Sequence, residues 1–278
     1  MLGGFIYSLI SMFSFGIGNL LWKVPQKSLP IYKIITIRSF ITTSLFLITI
    51  LLYSSFSINL NGWLIAIGIS AFSFFGLFFY NVSLKHTQVS QSITITSVGA
   101  VFGVLTSLIV YNEVFSWYLV GSLTLIVLGL FLLEDKKPIL KWSKGTNYAL
   151  LASFFWGTSF ALFRIPIEKI GSVNFSFSLE FTVCLMAILI GLFTKEKQKN
   201  KISKQAIYTI VVLAILGYLG VVFYNKAITI IPVSTLSIMG TFTPVITIII
   251  SHIYLKEKFN KNQYLGIASI IGASLLLI

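Results

Sequence analysis

Two charged residues interrupt long apolar stretches of the chain, and their types fit chemistry inside a membrane. Arg38 lies about six residues into one apolar stretch, and Glu180 lies similarly deep in another. A charged side chain at this depth is costly, so it needs a partner or an aqueous cavity. A guanidinium recognises carboxylates and phosphates, whereas a carboxylate binds cations or carries a proton. Both residues are therefore candidates for a functional site.

Lys23 ends the apolar stretch before that of Arg38, and we expect the two residues to lie together at one mouth of the protein. With no acid expected nearby, these cations predict an electropositive entrance for a carboxylate or a phosphate. In the competing interpretation Lys23 extends to the interface and Arg38 binds helix-end carbonyls. We predict a binding role for Arg38 and keep the structural role as the alternative.

Glu180 is expected near the opposite mouth, where Arg164 closes the preceding apolar stretch. Because intramembrane charges tend to pair, we predict an Arg164–Glu180 ion pair with a structural role. Glu180 is also the carboxylate that lies most clearly inside an apolar stretch, which suits a gate or a proton site. Arg164 and Glu180 are therefore the charged candidates for gating or coupling.

Neutral polar and aromatic residues complete the predicted site. Amides and hydroxyls supply hydrogen bonds without the cost of a charge, and aromatic rings can wall an amphipathic ligand. Asn19 and Trp156 lie in stretches expected to face the centre, whereas Tyr80 and Tyr224 lie near stretch ends, where interfacial anchoring is favoured. The predicted substrate-binding residues are Asn19, Trp22, Arg38, Tyr80, Asn81, Trp156, Ser159, Tyr224 and Asn225.

Pro244 lies in the middle of an apolar stretch, where proline frees a backbone carbonyl and can kink a helix. It is a further gating candidate, with a plain packing kink as the alternative. The Gly99–Gly103 spacing of four is common in membrane helices and is interpreted as close packing. Glu113 and Glu257 fall at turns, where we predict that each caps the next helix.

No metal or cofactor is predicted. His86 and His252 lie at the ends of apolar stretches and far apart in sequence, and the chain has one cysteine, Cys184. These residues do not form a metal-ligand spacing. The chain also lacks the nucleophile elbow, the zinc-protease motif, the phosphate loop and the dinucleotide fingerprint, which argues against an enzyme.

The composition identifies the elements that position these residues. Of 278 residues, 56% are hydrophobic and 10% charged, and the mean hydropathy is +0.95. Soluble domains carry about 25% charged residues, so this is an integral membrane protein. The apolar stretches are helix-length and too long for barrel strands. We predict ten transmembrane helices at 4–23, 32–54, 62–83, 89–111, 116–133, 147–165, 174–194, 205–227, 233–255 and 262–278.

The loops carry most of the net charge of +13, and this pattern predicts topology rather than nucleic-acid binding. Sixteen lysines fall in loops on one side of the predicted bundle, against three basic residues on the other. The bias predicts basic loops in the cytoplasm and both termini outside, in a multi-pass protein of the cell membrane. The first apolar stretch lacks a basic leader and a cleavage site, so it is interpreted as a retained helix.

The second half of the sequence repeats the first. Each half holds five predicted helices, and since five is odd, the halves have opposite orientations in the membrane, as in many transporters. We predict a first repeat at 1–133, a basic linker at 134–146 and a second repeat at 147–278. The matched landmarks are Phe79-Tyr80-Asn81 with Phe223-Tyr224-Asn225, Val89-Ser90 with Val233-Ser234, Phe15-Gly16 with Trp156-Gly157, and Pro25 with Pro166.

Several of these motifs resemble the EamA type of the drug/metabolite transporter superfamily. The resembling segments are Trp156-Gly157-Thr158-Ser159-Phe160, Arg38-Ser39-Phe40, and the run of Val233-Ser234, Pro244 and Glu257. The resemblance covers essentially the whole chain and implies a ten-helix exporter or exchanger of amino acids and other small metabolites. The first repeat departs from the pattern, with Phe15 for tryptophan and Ala100 for proline. Members of the family are also commonly drawn with both termini in the cytoplasm.

The sequence therefore predicts a secondary transporter that works by alternating access at a central site. Amino acids or related carboxylates are the favoured substrates, because Lys23 and Arg38 suit a carboxylate. Transporters of sugars, nucleotide sugars or organic cations are the alternatives, and a channel fits the two-half pattern less well. The expected partners are a small-molecule substrate, the lipid bilayer and coupling protons, and one chain suffices for a complete pathway.

Overall fold

The fold was analysed in a computed structural model, which describes residues 2–133, 143–194, 202–255 and 261–276. Within these ranges the chain forms α-helices, one short 3-10 turn at Pro25–Lys27, and connecting loops. The helices are α1 (Leu2–Leu21), α2 (Ile31–Tyr53), α3 (Leu60–Ser83), α4 (Val89–Thr96), α5 (Gly99–Val110), α6 (Trp117–Leu133), α7 (Lys144–Leu162), α8 (Arg164–Ile170), α9 (Ser172–Phe193), α10 (Lys204–Ala227), α11 (Val233–Met239), α12 (Phe242–Leu255) and α13 (Lys261–Leu275).

These helices confirm the predicted all-α membrane fold. Eight segments of the described chain are long and apolar enough to cross a bilayer, with α4–α5, α7–α8 and α11–α12 each counted as one segment. Helix α6 is a shorter apolar helix, and α6 and α13 occupy the fifth position of each half. Helix α7 begins inside the predicted linker, and residues 134–142 of that linker lie outside the described part.

The two halves pack on each other by a common rule, as expected of two inverted five-helix repeats. Helix α1 packs on α10 and α12, and its counterpart α7 packs on α3 and α5. Helices α2 and α9 are counterparts that pack on each other, as are α6 and α13. The core therefore lies between the halves rather than within either one.

Two spans are broken at equivalent points, where the sequence predicts continuous helices at 89–111 and 233–255. The first break, at Ser97-Val98, and the second, at Gly240-Thr241, lie 143 residues apart, within one residue of the separation of Phe79 and Phe223. In the second break Pro244 has no N–H for the carbonyl of Gly240, which accepts from the Thr243 amide at 3.1 Å instead. The first break has alanine at the equivalent position, so proline is not its cause.

Glycines hold the helices around these breaks close together, which confirms the packing role predicted for Gly99 and Gly103. The Cα of Gly157 lies against the carbonyl of Gly99, and Gly103 faces Ser237. Gly16, which is equivalent to Gly157, lies against the Thr243 carbonyl. Small residues allow this approach of two backbones, which favours helix association where lipid tails supply no hydrophobic driving force.

Glu113 caps a helix, but not the next helix as predicted. Its two carboxylate oxygens accept from the amides of Val233 and Ser234, at 2.7 and 3.0 Å. These amides begin α11 in the other half of the protein, so the carboxylate joins the two repeats at one face of the bundle. Glu257, the matching residue of the second half, lies outside the described residues.

Candidate substrate cavity

A cavity of about 200 Å³ lies at the centre of the protein, between the two halves. Its walls come from both repeats, and many lining residues occupy equivalent positions in them. The cavity therefore lies on the pseudo-twofold axis that relates the repeats. The equivalent lining pairs are Phe15 and Trp156, Asn19 and Phe160, Trp22 and Phe163, Ser73 and Gly217, Leu77 and Val221, and Thr96 and Gly240.

A buried ion pair joins the two halves at this cavity. The Arg38 Nη1 donates to Glu180 Oε2 at 2.5 Å, and the two residues are 7% and 3% exposed. They lie 142 residues apart, between the separations of 141 (Phe15 to Trp156) and 144 (Phe79 to Phe223) that relate the two halves, so they are near-equivalent positions of α2 and α9. Because counterpart helices meet on the pseudo-twofold axis, the ion pair lies where α2 crosses α9.

The predicted Arg164–Glu180 ion pair is wrong. The Arg164 Nε donates instead to Glu168 Oε1, one turn along α8, at 2.7 Å, and both side chains of this pair are partly exposed. The helices of Arg38 and Glu180 enter from opposite faces of the membrane, but this does not keep the two side chains apart. Each residue lies about 9 Å into a bilayer core of about 30 Å, and the two long side chains span the remaining distance.

The predicted electropositive entrance at Arg38 is also wrong. Arg38 has an acidic partner in Glu180, and Lys23 does not share its site. The Lys23 Nζ donates to the carbonyl of Thr87 at 2.9 Å, in the loop that joins α3 to α4. Arg38 also donates from Nη1 to Ser39 Oγ at 3.3 Å, while its Nε has no hydrogen-bond partner.

The two predicted tyrosines lie inside the protein, so interfacial anchoring is wrong for both. Tyr80 is fully buried and Tyr224 nearly so. The Tyr80 hydroxyl donates to the carbonyl of Asn19 at 3.4 Å, and the Tyr224 hydroxyl donates to that of Phe160 at 3.3 Å. Since Asn19 and Phe160 are equivalent positions, the same tyrosine-to-carbonyl hydrogen bond occurs in each repeat. The tyrosines fix α1 and α7 at the cavity wall.

The two predicted asparagines have different surroundings. Asn81 lies behind the cavity wall, where its Oδ1 accepts from Gln26 Nε2 at 2.9 Å. Asn225 lines the cavity and donates from Nδ2 to Ser176 Oγ at 2.8 Å. The Asn225 Oδ1 is buried without a hydrogen-bond partner, and Ser176 lies one helical turn before Glu180. The cavity wall thus holds an unused acceptor close to the ion pair.

Aromatic rings form one side of the cavity. Phe160 stacks on Trp156 with ring centroids 6.1 Å apart, and on Phe15 with centroids 6.4 Å apart. The Phe15 ring lies against Gly220, and the Trp156 ring lies against Gly76. Gly76 and Gly220 are equivalent positions, 144 residues apart. Flat apolar walls around few polar groups are typical of small-molecule sites.

The cavity gathers most, but not all, of the predicted site residues. Tyr80 and Asn81 lie behind its wall, as does Ser159, which donates to the Trp156 carbonyl at 3.2 Å. Arg164 lies at the end of a span and Pro244 just beyond the second helix break, and neither lines the cavity. The predicted residues that line the cavity are Asn19, Trp22, Arg38, Trp156, Glu180, Tyr224 and Asn225.

Sequence reasoning missed the residues at the helix breaks, which also line the cavity. Thr96 and Ser97 lie at the first break, and Gly240 and Thr243 at the second. A signal for them exists, because Ser97 and Thr241, small polar residues in the middle of two apolar spans, lie at the repeat separation of 144. Paired interruptions of this kind are the best sequence indication of a transporter binding site.

Comparison with known proteins identifies a family and a shared fold. The model of the EamA-like transporter family matches residues 2–134 and again residues 143–278. An uncharacterized transporter of Archaeoglobus fulgidus is 26% identical over 204 residues, which cover 72% of this chain and 69% of that protein. A protein of known crystal structure shares the fold with a TM-score of 0.77 at 16% identity, over 99% of this chain and 96% of its own. The chain, with a family domain in each half, belongs to the EamA-like transporter family and is a membrane transporter.

Proposed function

We propose that this transporter moves small carboxylate-bearing metabolites, amino acids foremost, across the cell membrane by alternating access. The observation that carries the proposal is the buried Arg38–Glu180 pair on the pseudo-twofold axis, facing the central cavity. A guanidinium at this place offers a carboxylate a charge-assisted hydrogen bond where water is scarce. One chain contains both halves of the cavity, so a monomer suffices.

The cavity size supports a small substrate. Its volume of about 200 Å³ lies below the usual range for drug-sized ligands, about 300–1,000 Å³. This favours a single metabolite over a nucleotide sugar. The paired helix breaks support alternating access, because each half contributes one broken span whose helices end at the cavity.

Uptake into proteoliposomes tests this function. With a labelled amino-acid panel we expect saturable uptake that internal substrate stimulates, and a loss of about 10- to 100-fold in Arg38→Gln, since a hydrogen bond to a charged group contributes about 1.5–3 kcal/mol. Arg164→Gln is the matched control, because its ion pair is exposed and lies apart from the cavity. Sugars and organic cations are tested in parallel. Carriage of these alone, or full activity in Arg38→Gln, would contradict the proposal.

The orientation of the chain belongs to the same proposal. Sixteen lysines at or between the span ends of one side, against three basic residues on the other, support a cytoplasmic location for that side and both termini outside. We expect alkaline phosphatase fused to the C-terminus to be active and a green fluorescent protein fusion there to be dark. A control fusion within residues 134–142 is expected to give the reverse result. A bright C-terminal fusion would reverse the assignment.

A further inference from the structure

The charge balance of the cavity limits what can enter it. Among the described residues, the charged side chains that line the cavity are Arg38 and Glu180, and they neutralise each other. Both are buried, so neither charge can be left alone without a large free-energy cost. A substrate that binds one of these residues must therefore supply a charge that compensates the other.

A ligand carboxylate added beside the closed ion pair would leave an uncompensated negative charge in the cavity. The Nη1 of Arg38 is held by Glu180 and Ser39, and its Nη2 lies beside Gly217, where a Cβ would not fit. The remaining Nε is buried and has no acceptor. A carboxylate that draws the guanidinium away from Glu180 gains this unused donor. Binding a carboxylate at Arg38 therefore opens the pair and releases Glu180.

Among the described residues, released Glu180 has no second cation at its own level of the bundle. Helix α9 packs on α2, α3, α8 and α10. The cations on these helices other than Arg38 lie near helix ends, and the hydroxyls of Tyr80, Tyr218 and Tyr224 are engaged elsewhere. The titratable groups on α9 and these helices are Cys184, Tyr32, Lys33, Arg38, Tyr53, Tyr80, Arg164, Glu168, Lys169, Lys204, Tyr208, Tyr218, Tyr224 and Lys226.

We infer that the Arg38–Glu180 pair enforces charge compensation: a substrate carboxylate that takes Arg38 enters with one positive charge for Glu180. For a simple monocarboxylate this charge is a proton from the solvent. The Arg38–Glu180 ion pair breaks, the ligand carboxylate binds Arg38, and the carboxylate of Glu180 becomes a carboxyl group. The cavity is neutral before and after, so the carboxylate and the proton cross in the same direction.

An amino acid satisfies the same rule without a proton. Its carboxylate takes Arg38 and its own ammonium group takes the place of Arg38 at Glu180. The unused Oδ1 of Asn225, on the neighbouring helix, offers a second acceptor to that ammonium. The inference rests on the proposed function, since it names the charge that accompanies a carboxylate at the same site. It predicts that a single amino group decides whether a proton is carried.

Proton uptake on binding tests the rule. The purified full-length chain is titrated in weakly buffered detergent solution with amino acids and with the carboxylic acids that lack the amino group. We expect uptake of one proton per bound monocarboxylate, with affinity falling about tenfold per pH unit on the alkaline side, and no uptake with amino acids. Glu180→Gln is expected to bind monocarboxylates without proton uptake, and Glu168→Gln to behave as wild type.

A measurement without ligand separates failure of the inference from failure of the proposed function. In Arg38→Gln, Glu180 is left without a counter-ion, and infrared spectroscopy at neutral pH is expected to show a protonated carboxyl group that Arg38→Gln/Glu180→Gln lacks. An ionised Glu180 in Arg38→Gln would overturn the inference. Binding of monocarboxylates without proton uptake would overturn it as well, while the proposed function stands. Absence of binding across the whole panel would contradict the proposed function itself.

Discussion

Glu180→Met is expected to destabilise the protein by about 3–5 kcal/mol, because it leaves the Arg38 guanidinium charged and unpaired inside the membrane. Arg38→Met leaves the opposite charge and is expected to cost a similar amount. The double variant Arg38→Met/Glu180→Met is expected to regain most of the loss, since apolar residues of similar volume replace both charges at once. The burial of both residues, 7% and 3% exposed, is what makes the expected single-variant losses large.

Thermal unfolding in detergent, followed by the fraction of monodisperse protein, measures this cycle. Arg164→Met and Glu168→Met form the matched control, because that ion pair has side chains 34% and 57% exposed. Exposed pairs one helical turn apart contribute about 0.3–0.5 kcal/mol, so these variants are expected to melt near wild type. A double variant at Arg38 and Glu180 as unstable as the single ones would show that the ion pair itself stabilises the fold.

The same variants separate a structural role of the pair from a role in transport. The double variant is expected to be stable and inactive, because it restores packing but removes the guanidinium that binds the carboxylate. Recovery of transport together with stability would show that Arg38 and Glu180 only hold the helices together. The proposed substrate site would then have to lie among the neutral residues of the cavity.

The membrane spans could be predicted from sequence because their signal is local. Each span needs about 20 apolar residues, and short polar interruptions mark its ends. The ion pair could not be predicted this way, because the sequence gives the depth of each charged residue only relative to the end of its own helix. The contact between Arg38 and Glu180 depends on where α2 crosses α9, which packing decides. Their separation of 142, between the landmark separations of 141 and 144, is the sequence signal that places them at near-equivalent positions.

The helix breaks illustrate a second limit of the sequence. Pro244 drew attention to the second repeat, while the first repeat breaks at Ser97-Val98 with no proline nearby. A break of this kind results from contacts that a single helix does not contain, such as the approach of Gly99 to Gly157. The equivalence of the two repeats carries the missing information, because a break in one half predicts a break in the other.

Gly157→Ala is expected to prevent accumulation of folded protein, with a loss of about 3 kcal/mol or more. A Cβ at this position would overlap the carbonyl group of Gly99, and a backbone cannot move aside as a flexible side chain does. Helices α5 and α7 would have to separate, which would disturb the broken span that lines the cavity. Membrane expression and size-exclusion profiles of the variant, against wild type, measure the effect.

Two other glycines give matched controls for this substitution. Gly68 lies in the middle of α3 with open space around it, so Gly68→Ala is expected to be neutral or stabilising by up to about 1 kcal/mol. Gly16 is the counterpart of Gly157, but a Cβ there would lie 2.9 Å from the Cγ2 of Ile246 and 3.2 Å from the Thr243 carbonyl oxygen. Because the Ile246 side chain can shift, Gly16→Ala is expected to fold with a smaller loss. Equal losses at Gly16 and Gly157 would contradict this difference between the repeats, and a well-folded Gly157→Ala would show that the α5–α7 contact can open.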